Sequence, residues 1–251
     1  MRYVKRFSSG RGNLNVNSYS IANIRALNLH DTTHNPVALY QFQNDLSDSS
    51  GNNLHLTALS GSPNYSETLY GKTGLYFDTP YAAYLNGDNS SLQLTGDVTI
   101  EFIFKIKSFP FAYMQFLKME RIVAGSNNEE DNILYTLFLT NTGQFLYGQE
   151  YGAGNQETFV TNASSSLQTN TLYHVAVVRE SNVITFYVNG SQFGDNQQFE
   201  TPTGGESGSL VVGIYQNIYP DSIFASLKII SGSITQSEVL EEYKRTVGTV
   251  Y

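Results

Sequence analysis

The sequence predicts an all-β fold in which two antiparallel sheets pack face to face. The stretch 172–190 carries the strongest evidence: its apolar residues recur with a period of two, a polar turn interrupts it at 179–182, and it closes at Asn189-Gly190. Asn-Gly favours a tight turn because both residues tolerate positive φ. From residue 37 onward, similar short runs recur between polar turns without intervening helices. The 251 residues are 40% hydrophobic, enough for one large core.

The individual strands follow from the same alternation along the chain. They are predicted at residues 38–42, 54–59, 74–77, 82–85, 98–106, 121–124, 133–139, 144–148, 157–162, 173–178, 183–188, 209–214 and 223–230. The apolar run 109–117 around Pro110 is predicted to be an insertion with a helical turn, which fills the core or contacts another subunit.

One helix is predicted near the C-terminal end of the sequence. Thr235 and Glu238 have the spacing of a capping box, in which each side chain bonds a free backbone amide at the helix start. The apolar face that follows is formed by Val239, Leu240 and Tyr243. The helix is predicted to end near Thr246.

Several fragments occur in a fixed order along the chain. They are the strand 39–42 with its Asp48-x-x-Gly51 turn, the strands 74–78 and 98–105, the hairpin halves 173–177 and 186–190, and the last strand 224–229 with the short helix after it. In this order they resemble the laminin-G-like, concanavalin A-like jelly-roll family over residues 36–245. The resemblance implies a two-sheet antiparallel jelly-roll sandwich.

The chain departs from the pattern of that family at two places. The family usually carries tryptophan at the positions of Ile103 and Leu172, whereas this chain has no tryptophan. Its last strand has Ala225-Ser226 where the family usually has Asp-Glu, which removes acidic oxygens that are sometimes used to bind calcium.

Charge divides the chain into two predicted parts, an extended basic N-terminal arm at 1–36 and a laminin-G-like jelly-roll domain at 37–251. The arm has one acidic residue and a net charge of +4, and the remainder has a net charge of −12. The basic residues of the arm are Arg2, Lys5, Arg6, Arg11 and Arg25. Ordering so polar a segment costs about 1–2 kcal/mol per residue, so we expect contacts to hold it. Either the arm docks on neighbouring subunits of an assembly or it folds along its own domain.

The sequence contains no recognisable catalytic cluster. Glu129-Glu130-Asp131 are consecutive in a turn-like stretch and do not form the facing carboxylate pair that glycan hydrolysis needs. The histidines show no metal-ligand spacing, and His174 in a strand is predicted to be a hydrogen-bonded structural residue. There is no cysteine to form a disulfide or a thiolate site. We therefore predict that the protein is not an enzyme and assign no catalytic residue.

Calcium is the one cofactor for which the sequence offers ligands. Asp45, Asp48, Asn52 and Asp78 carry the hard oxygen atoms that Ca²⁺ prefers. The alternative is that these residues stabilise turns by bonding their own backbone.

Tyrosine is abundant, with 18 residues, and four tyrosines lie beside Gly, Gln or Asn in or near predicted loops. There a flat ring with neighbouring amides suits stacking on a sugar or packing on another protein. The candidate ligand-binding residues are Tyr147, Tyr151, Tyr215 and Tyr219. The alternative is that they only reflect the preference of strands for tyrosine.

The leading functional hypothesis is a non-enzymatic structural or surface module of a large assembly. The most concrete form is a bacteriophage virion protein, such as a capsid decoration, fibre or tail component, that is anchored through its arm. We expect it to form a homo-oligomer and to contact other virion or assembly proteins. We expect it to be made in the host cytoplasm, because no apolar stretch of a secretory signal follows the basic start. The alternative is a carbohydrate-binding adhesion module for a cell-surface glycan, with or without calcium.

Two partner classes are excluded at this stage. The acidic body would repel nucleic acid phosphates. Membrane insertion is not expected, since no run approaches the roughly 18 apolar residues that a spanning helix needs.

Overall fold

The computed structural model describes residues 34–77, 82–85, 90–109, 113–120, 133–150, 156–160, 167–202, 208–213 and 221–247. They form two large antiparallel sheets, a small hairpin and a C-terminal helix, which confirms the predicted all-β jelly-roll sandwich. No helix within these ranges is long and apolar enough to cross a membrane.

The strands are numbered in chain order. They are β1 (Ala38–Tyr40), β2 (Leu56–Ser60), β3 (Thr68–Leu69), β4 (Lys72–Thr73), β5 (Leu75–Phe77), β6 (Ala82–Leu85), β7 (Val98–Ile106), β8 (Tyr113–Glu120), β9 (Ile133–Thr140), β10 (Phe145–Glu150), β11 (Gln156–Val160), β12 (Leu172–Glu180), β13 (Val183–Val188), β14 (Ser191–Gln192), β15 (Gln197–Gln198), β16 (Leu210–Gly213) and β17 (Ser222–Ser231). The predicted strand 121–124 lies outside the described residues.

Sheet A has the strand order β1–β17–β7–β12–β13–β14, with β5 also paired to β17 and β15 to β13. Sheet B has the order β11–β10–β9–β8–β16–β6–β2. The non-consecutive neighbours show that the chain crosses repeatedly from one sheet to the other. Strands β3 and β4 form a separate two-stranded hairpin.

The strand β8 corrects the expectation of a helical turn at 109–117. Residues 113–117 belong to this strand, which pairs with β9 on one side and β16 on the other. Phe116 and Leu117 are buried in the core, as predicted for this apolar run. A central strand with two partners tolerates a continuous apolar run, so hydrophobicity alone could not separate the two structures.

Phenylalanine rings fill the core between the two sheets. Phe102 and Phe104 alternate along β7 of sheet A, and both meet Phe116 of sheet B, at ring-centroid distances of 5.3 and 4.9 Å. Phe145 of β10 stacks on Phe186 of β13 at 5.1 Å. Because successive strand residues point to opposite faces, the residues that alternate with Phe102 and Phe104 form the outer face of sheet A.

The predicted turn and helix are both confirmed. Asn189 and Gly190 have φ values of 51° and 80° at the end of β13. Helix α1 (Gln236–Arg245) starts at the predicted capping box of Thr235 and Glu238, and its C-cap is Thr246. The helix lies over the outer face of sheet A, where Val239 packs in a cluster with Ala176, Val178, Ile230 and Ile234.

Candidate functional site

A tight hairpin stands over the other end of the outer face of sheet A. Its strands β3 and β4 are joined by Tyr70 and Gly71, which have φ values of 48° and 79°. Positive φ at both positions is typical of a two-residue type I′ turn, where Asn and Gly are preferred. A bulky aromatic residue in this region is unusual, and Tyr70 is 44% exposed at the tip.

The hairpin is fixed to the body of the domain by apolar and polar contacts. Leu69 is buried in a cluster with Ile103 and Leu172 of sheet A. Just before β3, Glu67 accepts a hydrogen bond from the Lys107 ammonium at 2.9 Å. Just after β4, the Gly74 amide donates to the Glu67 carbonyl at 3.2 Å. The turn residues are therefore held in one position relative to sheet A.

A cleft of about 210 Å³ lies beside this hairpin. Its lining residues come from the hairpin, from β7 and from the start of β12, and they are Thr68, Leu69, Tyr70, Lys105, Asn170 and Leu172. The volume lies below the range of about 300–1,000 Å³ that is usual for drug-sized ligands. The cleft suits a single small ring or the end of a longer ligand.

Lys105 and Asn170 supply polar side chains to the cleft. Lys105 lies opposite Leu172 in the β7–β12 pairing. Asn170 has a φ of 60°, and its backbone amide donates to the Ile106 carbonyl at 2.6 Å, which fixes the residue at the cleft. Among the described residues, the side chains of Lys105 and Asn170 form no hydrogen bond or ion pair. An aromatic ring, an ammonium and a carboxamide thus line one small cleft.

A cluster of ionisable side chains occupies the end of the same face that helix α1 covers. We call Glu101, His174, Lys228 and Glu242 the ionic cluster. The Lys228 ammonium lies 2.9 Å from one oxygen of Glu101 and 2.8 Å from one oxygen of Glu242. The second oxygen of Glu101 lies 3.3 Å from Nε2 of His174. All four side chains are buried, which confirms His174 as a structural residue bonded to a carboxylate.

The carboxylates and the ammonium of the ionic cluster stabilise one another. Burial by itself raises the pKa of Glu101, but the contacts with His174 and Lys228 outweigh burial and hold this pKa below its usual value. Burial lowers the pKa of Lys228, and the two carboxylates outweigh it and raise this pKa above its usual value. The cluster is closed to solvent, so its carboxylates cannot reach an external substrate.

The position of Tyr147 contradicts its predicted role in ligand binding. Tyr147 is 2% exposed, because it lies on β10 two residues after Phe145 and therefore faces the core. Its ring packs against Phe199 at a centroid distance of 5.5 Å, and its hydroxyl donates to Gln149 at 3.1 Å. Tyr151, Tyr215 and Tyr219 lie outside the described residues.

The residues proposed for calcium bond the protein backbone instead. The buried Asp48 carboxylate accepts hydrogen bonds from the amides of Leu39, Ser50 and Leu54 at 2.9–3.1 Å. Burial opposes its ionisation, but these bonds outweigh it and lower the pKa of Asp48.

The other two described members of this set bond nearby groups. The Asp45 carboxylate accepts from the Ser47 backbone amide at 3.0 Å, and the side-chain amide of Asn52 donates to the Val37 carbonyl at 2.9 Å. These contacts favour the turn-stabilising alternative. In the described part of the chain, no three His, Cys, Asp or Glu side chains come together as a metal site. Asp78 lies outside the described residues, as do the arm residues Arg2, Lys5, Arg6, Arg11 and Arg25.

Sequence reasoning did not find the residues of the cleft. The one local signal for the turn is Gly71, because Tyr70 stands where two-residue turns usually have Asn, Asp or Gly. The hairpin and its exposed ring were therefore missed. Nothing local links Tyr70 to Lys105 or Asn170, because the fold alone brings these distant residues together.

A protein-family model matches the chain over more than half of its length. The Laminin_G_3 model, described as the concanavalin A-like lectin/glucanases superfamily, matches residues 77–240. No curated protein matches the chain.

Among solved structures, the chain is similar to the binding domain of botulinum neurotoxin serotype D, with a TM-score of 0.64 and 16% identity, over 85% of this chain and 53% of that chain. For the same toxin domain in complex with N-acetylneuraminic acid, the TM-score is 0.62 and the identity 16%, over 90% of this chain and 52% of that chain. A third similar structure is domain 4 of AbnA, an extracellular arabinanase from Geobacillus stearothermophilus, in complex with arabinotriose. Its TM-score is 0.61 and its identity 17%, over 82% of this chain and 97% of that chain. This chain spans about half the length of the toxin chains, and at these identities the similarities show the fold.

Proposed function

The chain belongs to the concanavalin A-like lectin/glucanases superfamily, and on that premise we propose that it is a non-enzymatic glycan-binding module whose site is the hairpin cleft. The observation that carries this proposal is the exposed Tyr70 ring, held at positive φ beside a cleft where Lys105 and Asn170 bond no side chain that the structure describes. Unusual backbone geometry of this kind is concentrated at functional sites.

The chemistry of the cleft suits a sugar. A sugar ring presents C–H groups on its faces and hydroxyls at its edge, so it can stack on Tyr70 and bond Lys105 and Asn170 at the same time. Because Leu69 and Glu67 already fix the hairpin, little ordering entropy is lost on binding. One structural neighbour that the match covers over 97% of its length, the arabinanase domain, was solved in complex with the sugar arabinotriose, and the toxin domain, covered over 52%, was solved in complex with N-acetylneuraminic acid.

The ionic cluster supports a binding role rather than catalysis. Glu101 and Glu242 are brought together by Lys228, but both side chains are buried between helix α1 and sheet A. Hydrolysis of a glycan needs two carboxylates that flank the scissile bond. This pair cannot do so without displacement of the helix.

A glycan array followed by calorimetry tests the proposal. We expect wild-type protein to bind a defined set of glycans, and Tyr70→Ala to lower the affinity about tenfold through loss of ring stacking. The matched control is Tyr113→Ala, which removes a tyrosine that is 46% exposed on sheet B, and it should leave the affinity unchanged. A silent array, or equal affinity in wild type and Tyr70→Ala, would contradict a glycan site at the hairpin.

The uneven distribution of charge favours a second role that is compatible with the first. We infer that the cationic arm at 1–36 anchors the protein, by contact with another copy or with other components, while the domain at 37–251 is displayed. The net charges of +4 and −12 support such an attachment, since they make the arm of one copy complementary to the body of another. A bacteriophage virion, reached from the host cytoplasm, is the setting that we propose.

Neutralisation of the arm in the full-length chain tests this role. We expect weaker association when Gln replaces Arg2, Lys5, Arg6, Arg11 and Arg25. Light scattering measures self-association, and co-sedimentation with purified particles measures binding to other components. Lys72→Gln combined with Lys244→Gln changes only body charges and should have no such effect. Unchanged association of the arm variant would show that the arm is no anchor.

A further inference from the structure

We propose that the hairpin cleft selects a sugar that bears a carboxylate. This inference rests on the proposed glycan-binding function and concerns the same site. It starts from the positive charge of Lys105, which forms no ion pair with any residue that the structure describes.

Lys105 differs from the lysines of the neighbouring positions. Two residues further along the chain, Lys107 pairs with Glu67 at 2.9 Å. On the adjacent strand β17, Lys228 pairs with Glu101 and Glu242. Lys105 lines the cleft half-buried and forms no ion pair with any residue that the structure describes. Its positive charge is therefore left for a ligand.

The donor character of the cleft favours an anion over a neutral hydroxyl. A lysine ammonium has three donor hydrogens and no acceptor, whereas a carboxylate is a pure acceptor. Charge-assisted hydrogen bonds are about twice as strong as neutral ones. The Asn170 carboxamide supplies further donors at the same cleft, and the Tyr70 ring can hold the face of the sugar.

The overall negative charge of the protein does not oppose this selection. The domain at 37–251 has a net charge of −12, but exposed charges are screened beyond about 8 Å at physiological salt, so its distant carboxylates act weakly on the cleft. The nearby acidic residue Glu67, at the start of the hairpin, is already neutralised by Lys107. Lys105 thus sets the local charge of the cleft.

A glycan array that carries each acidic glycan beside its methyl ester tests the inference, because esterification removes the charge and keeps the ring. We expect binding of acidic glycans, with at least threefold weaker binding of the matching esters and of the acidic forms at high salt. Binding of neutral glycans, or equal binding of acid and ester, would overturn the acidic specificity and leave the glycan-binding function standing. Binding of no glycan at all would overturn both.

Substitution of the lysine assigns the specificity to its source. Lys105→Gln should lower the affinity for the acidic glycan about threefold to tenfold and abolish the preference over the ester, whereas Lys105→Arg should keep that preference. Lys244→Gln, on exposed helix α1 surface, is the charge-matched control and should change neither value. An undiminished preference for the acid in Lys105→Gln, with an unchanged thermal midpoint, would show that another residue selects the carboxylate.

Discussion

The two ends of the outer face of sheet A differ in how their charged side chains are placed. Beneath helix α1 these side chains are buried and paired, whereas beside the β3–β4 hairpin a lysine lines an open cleft. Along the outer face of β7, Glu101 lies in the closed ionic cluster, Ile103 packs beneath the hairpin, and Lys105 opens into the cleft. Alternate residues of the single strand β7 therefore reach both ends of this face. The element that covers each end decides whether a charge is satisfied within the protein or offered to a ligand.

The energetic consequence follows from burial. A buried charge is tolerated only when partners replace the water that it has lost, and at the covered end Lys228 holds two carboxylates. At the hairpin end the half-buried Lys105 lines an open cleft, where water can hydrate its charge without an internal partner. The stability of the protein should thus depend strongly on the charged residues beneath helix α1, and ligand affinity on those beside the hairpin.

The largest predicted effect comes from a matched pair of lysine substitutions on the same face. Lys228→Met leaves Glu101 and Glu242 buried without their shared cation, and we expect the free energy of unfolding to fall by about 3–5 kcal/mol. Lys105→Met removes a lysine that pairs with no described residue and should change the free energy of unfolding by less than about 0.5 kcal/mol. Urea unfolding measures both values, and similar losses in the two variants would contradict the difference between the two ends.

The pH dependence of stability gives the next effect. The pKa of Glu101 in the folded protein lies below its usual value of 4.5, so its contribution is present above that pH and is lost as the pH falls through the lowered value. The pKa of Lys228 is raised above 10.5, so its contribution is present below that pH and is lost as the pH rises through the raised value. Both carboxylate and ammonium therefore favour the folded state between these two limits.

Urea midpoints between pH 3 and pH 7 test the acidic limb. Glu101→Gln should show a smaller loss of stability on acidification than wild type, although it starts from a lower stability at pH 7. Glu241→Gln removes a carboxylate at the exposed surface of α1 and should retain the wild-type slope. An identical acid slope in wild type and Glu101→Gln would show that other carboxylates govern the transition.

The strained turn provides a test in which stability and affinity move in opposite directions. Asn tolerates the left-handed conformation of residue 70 better than Tyr, so Tyr70→Asn should raise the free energy of unfolding by about 1 kcal/mol. The same change removes the exposed ring and should lower glycan affinity about tenfold. Tyr113→Asn, in the extended strand β8, should do neither. A loss of stability in Tyr70→Asn would mean that the ring serves the fold rather than a ligand.

Prediction from the sequence succeeded where the signal is local. The turn at Asn189-Gly190 and the capping box of Thr235 and Glu238 each depend on residues a few positions apart, and both form as predicted. The strand β8 was missed because its partners β9 and β16, and not its own pattern, make it extended.

The site was harder to predict because the relevant choice is between two faces of a strand. Tyr147 and Tyr70 both stand beside glycine in sequence, yet one faces the core and the other solvent. The period-two relation of Tyr147 to Phe145 indicates an inward position once the strand is recognised. The cleft itself joins residues 35 positions or more apart, and only the sheet register brings Lys105 opposite Leu172.

The smallest predicted effect concerns the anchor of the hairpin. Glu67 and Lys107 are both about one-third exposed, so Glu67→Gln should lower the free energy of unfolding by about 0.5 kcal/mol or less, and added salt should erase the difference. Glycan affinity should fall more visibly, because a looser hairpin must be ordered again when the ligand binds. Calorimetry of Glu67→Gln beside Glu241→Gln, which breaks a surface pair with Lys244 on helix α1, separates this anchoring effect from a general loss of surface charge. Equal affinity in the two variants would mean that the buried Leu69 alone holds the hairpin in place.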